Sequence, residues 1–184
     1  MNANNWILLS DVVASTLTAL AVLYLGHVMS IRAKRLEASM SVTEILIKKR
    51  IAIYDSAAPL LNDVLCYMTY VGQWRELKPT QIIQKKRELD TLLHSSRPFF
   101  NEEVFERYRK FVDLAFSTDG GRGTSAKIKA NIERHAEEYT GEFETAWKRF
   151  FVEPENRSRR ADVTRAYQSL LKAVGAALRK SDGG

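Results

Sequence analysis

The chain has 184 residues, 45% hydrophobic and 27% charged, with 9 Gly, 4 Pro and 1 Cys, a composition that excludes a disordered, collagen-like or disulfide-scaffolded protein. The net charge of +6 is unevenly placed: Asp11 is the one charged residue among the first 31, and the rest carries 28 Lys and Arg against 21 acids. That basic remainder is long enough to bury a core of its own, and the lone Cys66 closes no intrachain bridge.

The first predicted element is a membrane span. From Val12 to Met29 eighteen residues carry no Lys, Arg, Asp or Glu, and as a helix they cover about 27 Å, close to the hydrocarbon thickness. Trp6 suits the interface on one side, and Arg32, Lys34 and Arg35 flank the other. No cation precedes the segment, which argues against a cleaved signal peptide. The positive-inside rule then expects residues 1–31 as an inner-membrane anchor with its N-terminus outside, and residues 32–180 as a cytoplasmic body. Asp11, Ser15, Thr18, Val22 and Leu25 fall on one helical stripe. The stripe is expected to be an oligomer seam or pore lining, and a capping role for Asp11 is the alternative. Residues 31–41 lack Pro and Gly, so the helix is expected to continue beyond the bilayer.

The body reads as all-α, a helical bundle, because apolar positions recur with helical period and no long stretch alternates. Helices are expected from about Ser41 to Ala58, from Pro59, which starts or kinks a second stretch, to Lys78, from Thr80 to Ser95, and from Asn101 to Phe116. A fifth is expected to carry Ile128, Ile132, His135, Tyr139, Phe143 and Phe150 on one stripe, and a sixth runs from about Ser158 to Arg179. Residues 181–184 are expected to be a disordered tail.

Several constellations bear on chemistry. Residues 117–125, STDGGRGTS, precede a helix and could cradle a phosphate beside Arg122, but they lack P-loop spacing and read as a turn. His135 and Glu138 are two metal-ligand types three residues apart, yet no Glu-x-x-His partner pair exists, so a surface pair is expected, with no metal or cofactor. Cys66 reads as a core residue. An acidic run, Glu133, Glu137, Glu138, Glu142 and Glu144, precedes a basic one, Arg157, Arg159, Arg160 and Arg165. These runs are expected to pair with each other or to remain solvated. Alternatively Arg157, Arg159 and Arg160, like Arg32, Lys34 and Arg35, meet anionic lipid, RNA or a protein partner.

Arg87 and His94 stand two turns apart on one helix, a spacing that resembles the Arg–His motif of HEPN ribonucleases, although Glu88 replaces the polar residue usual after the Arg. Without such a role, Arg87 is expected to be exposed and His94 partly buried against Asp90. The whole layout, one N-terminal span and a HEPN-like helical body, resembles single-pass bacterial membrane proteins of anti-phage defence. Among these it is similar to the pore-forming accessory membrane proteins of type VI-B CRISPR systems. That resemblance implies a non-enzymatic homo-oligomer that perturbs the inner membrane, with no small-molecule substrate. A membrane-tethered ribonuclease using Arg87 and His94, or a passive scaffold recruiting RNA or protein through the basic cluster, are the alternatives.

Overall fold

The computed structural model describes residues 3–118 and 126–179, without the side chains of residues 3–16, 18, 19, 21 and 36–42. The described chain is mostly helical, in two units, Met1–Ile45 and Leu46–Gly184. Helix α1 runs Ala3–Thr69 with Pro59 inside it, so the stretches on either side of Pro59 form one helix, which ends at Thr69 rather than at Lys78. Pro59 itself is exposed, while Ala57 before it and Leu61, Val64 and Tyr67 after it are buried on one stripe. Burial on both sides of the ring holds the helix together despite the backbone hydrogen bond that proline removes.

In the first unit Leu17, Leu20, Val22, Leu23, Tyr24, Leu25 and Met29 are all exposed. Among the described residues no helix is long and apolar enough to cross a membrane, and Asp11, Ser15 and Thr18 of the expected stripe lie outside the described side chains. Arg32, Lys34 and Arg35 are exposed.

The second unit is a helical body around one core. Helix α2 is Pro79–Ser95, α3 is Glu102–Ala115, α4 is Ile132–Glu138 and α5 is Arg160–Arg179. The Lys78 amide donates to Gln81 Oε1 at 2.8 Å at the start of α2, and Asn101 Oδ1 accepts from the Val104 amide at the start of α3. Val104, Tyr108, Phe111, Val112 and Ala115 of α3 share the core with Val163, Ala166, Leu170, Val174 and Ala177 of α5, and the Phe111 and Tyr167 rings meet at 5.7 Å. Buried aliphatic and aromatic side chains of this size each contribute about 1.5–3 kcal/mol.

The expected fifth helix is the main correction. Its stripe is divided among strand β2, Lys127–Ile128, helix α4 and a 3-10 turn, Thr145–Phe150. β2 pairs antiparallel with β1, Phe116–Ser117, in the register Phe116 to Ile128, and Ile128 also bridges Phe151 in parallel. The glycine-rich segment 119–125 lies outside the described residues, as do residues 180–184. Helix α4 stops after seven residues because the Thr140 amide and hydroxyl both donate to the Arg75 carbonyl, at 3.1 and 3.0 Å. The stripe still marks packing: Ile128 is fully buried, and Ile132, Phe143 and Phe150 sit against the core.

Arg50 is only 5% exposed. Its guanidinium donates to the Phe99 carbonyl at 2.6 Å and to the Ala177 carbonyl at 2.9 Å. It therefore ties α1 to the turn Arg97–Phe99 and to the last turn of α5, whose carbonyls lack helical partners and favour a cation. Replacing Arg50 with Ala strands both carbonyls, and we expect a loss of about 3 kcal/mol. This should appear as a fall of about 10 °C in the melting temperature of the body, followed by circular dichroism on the full chain.

Candidate anion-binding site

The site is built at the end of α1. After Thr69 the chain turns through Tyr70 at φ 62° and Gly72 at φ 65°, and the Val71 amide closes the turn onto the Cys66 carbonyl at 3.1 Å. The left-handed region is ordinary for Gly72 but costs a tyrosine about 1 kcal/mol. Tyr70 is held there from both ends. Its hydroxyl accepts the Asn131 amide at 2.9 Å, and the Arg134 guanidinium lies over its ring, 4.3 Å from the centroid, with that of Arg160 at 5.3 Å.

The neighbouring residue on α4 packs among the same rings. His135 is buried, stacked on Tyr67 at 4.0 Å and enclosed by Tyr70, Trp74 and Phe151. Burial, with help from Arg134, pushes its pKa down to about 3, against the weaker opposing effects of Glu138 and a hydrogen bond to the Tyr67 backbone. Its Nε2 is buried without a partner. The ring is thus a neutral packing element, and the expected surface pair with Glu138 does not form. Glu138 instead binds Arg75 and accepts from Arg134 Nε at 2.8 Å, and these two guanidinium groups hold its carboxyl below the usual range. Among the described residues no group of three His, Cys, Asp or Glu could hold a metal ion.

Arg134 opens onto a cavity of about 310 Å³ lined by Tyr70, Arg157, Ser158, Arg159 and Arg160. Two of the four arginines are compensated from outside: Arg134 by Glu138, and Arg157 by Glu133 at 2.7 Å. That contact keeps the Glu133 carboxyl low. Arg157 Nε is buried with no partner. Among the described residues Arg159 and Arg160 have no acidic partner, and no acid lines the cavity. The first turn of α5, the positive end of its dipole, borders the same space. Arg157, Arg159 and Arg160 of the basic run are therefore brought together here, while Arg165 pairs with Asp162 outside the cavity, and Arg134 and Tyr70 are members that sequence reasoning missed. Their signal was faint, since Arg134 reads as a break in an acidic run and Tyr70 as part of a helix.

The other expected residues are not brought together. Arg87 and His94 are both exposed. His94 borders a small cavity of about 100 Å³ with Arg97, Phe105 and Arg109, and Arg87 is absent from its lining. The pairing of His94 with Asp90 that the sequence suggests is replaced: Asp90 accepts from Lys86 at 2.6 Å and from the Tyr108 hydroxyl at 2.7 Å, and burial with that bond drives the Tyr108 pKa upward. Cys66 is half-buried, and burial raises its thiol pKa. No family model, curated protein or solved structure matches the chain.

The buried imidazole gives a pH signature. Unfolded His135 binds a proton near pH 6.5 and the folded one only near 3, so the unfolded state holds more protons across that window and stability falls as pH falls. We expect a decline approaching about 1.4 kcal/mol per pH unit below pH 6. Urea titrations of the full chain between pH 6.5 and 5.5 should show it, and His135→Phe should flatten it.

Proposed function

We propose that the chain is a membrane-tethered, non-enzymatic recruitment module of the cytoplasmic face, holding RNA through the arginine cavity around Tyr70. The carrying observation is the convergence of Arg134, Arg157, Arg159 and Arg160 on one acid-free cavity with two guanidinium groups uncompensated among the described residues. Four like charges in one space repel, and an anion relieves that repulsion while accepting charge-assisted hydrogen bonds. The cation excess of the chain after residue 31 favours a long polyanion over a single small ion.

The tether rests on the uncharged stretch Val12–Met29 and on exposure in the first unit. Leu23, Tyr24 and Met29 are about 70% exposed, and the consecutive residues Val22 to Leu25 are exposed together. A helix apolar all round favours hydrocarbon or another helix over water. The same residues support a second reading, in which copies associate through the stripe containing Val22 and Leu25 and perturb the inner membrane, as the defence-protein resemblance implies.

For recruitment, the affinity of the full chain for single-stranded RNA should fall with salt, and Arg159→Gln/Arg160→Gln should reduce the slope of log affinity against log salt by about 1.4. A slope unchanged by the double substitution would falsify the reading. For the tether, the full chain should remain with membranes through an alkaline carbonate wash, and release into the supernatant would contradict it.

A further inference from the structure

Resting on that recruitment reading, we infer that the cavity around Tyr70 takes the terminal phosphate of an RNA strand, a phosphomonoester dianion, in preference to the phosphodiester backbone. The charge balance points to a dianion. Glu133 and Glu138 offset Arg157 and Arg134 from outside the cavity, leaving the charges of Arg159 and Arg160 to be matched by the ligand. A phosphomonoester carries between about −1.5 and −2 at neutral pH and presents three free acceptor oxygens. A backbone diester carries one charge and presents two.

The donor set fits the richer acceptor. Arg157 is only 19% exposed at its side chain and is fixed by Glu133. Arg134 is likewise fixed, by the Tyr70 ring and Glu138, whereas Arg159 and Arg160 are exposed. Two guanidinium groups already held in place by the fold lower the ordering cost of binding.

The test uses the full chain in detergent and two RNA oligonucleotides of one sequence, ending in a 5′-phosphate or a 5′-hydroxyl, at physiological salt. The 5′-phosphorylated strand should bind about tenfold more tightly, the effect of one additional charge-assisted hydrogen bond, and inorganic phosphate should erase the difference. Arg159→Gln/Arg160→Gln should equalise the strands. Arg157→Lys, which keeps the charge but removes the planar guanidinium fork, should narrow the gap, and Arg165→Gln, outside the cavity, should leave it intact. Equal affinity of the unaltered chain for both strands overturns the terminal-phosphate inference while leaving recruitment standing. Binding of neither strand overturns both. A preference that survives the double substitution overturns the assignment to this cavity.

Discussion

The arrangement at the end of α1 depends on keeping one imidazole uncharged. Helix α4 has seven residues, too few to persist on hydrogen bonding alone, and it is held by His135 within the rings of Tyr67, Tyr70, Trp74 and Phe151. An imidazolium at that position would have neither water nor an acceptor for Nε2, so the cage and the neutral state require each other. Because Arg134 is the next residue round the helix, the packing that buries the histidine also directs the arginine to Tyr70. An apolar anchor and a cationic head share one short element.

The cationic side of that element carries a cost which the fold meets locally. Glu133 and Glu138 lie on the same short helix and neutralise Arg157 and Arg134, but no acid among the described residues reaches Arg159 or Arg160. Tyr70 is strained, at φ 62°, and its ring lies under two guanidinium groups. A non-glycine residue in that conformation is retained where surrounding structure over-determines it, and such residues cluster at binding sites. Excess charge and strain thus coincide at one cavity.

The two units solve opposite solvation problems. In the body even a cation is internal: Arg50 gives up water for two carbonyl oxygens, while Lys48 and Lys49 beside it are exposed. In the first unit large apolar side chains from Leu17 to Met29 face outward, a surface that water disfavours.

Helical class, the elements α2, α3 and α5 and the existence of a basic cluster were legible from residue order, because capping residues, proline breaks and apolar stripes act within a few residues of one another. The stripe from Ile128 to Phe150 identified buried positions but not their backbone, since a hydrogen bond from Thr140 to Arg75, 65 residues away, ends the helix that the spacing suggests. Long-range contacts likewise decided that His135 is an uncharged core residue, that Arg50 is internal, and that α1 continues through Pro59. Only the tertiary structure could add Tyr70 and Arg134 to Arg157, Arg159 and Arg160, because convergence on a cavity depends on which distant surfaces meet, and burial and charge compensation are properties of that meeting rather than of any one segment.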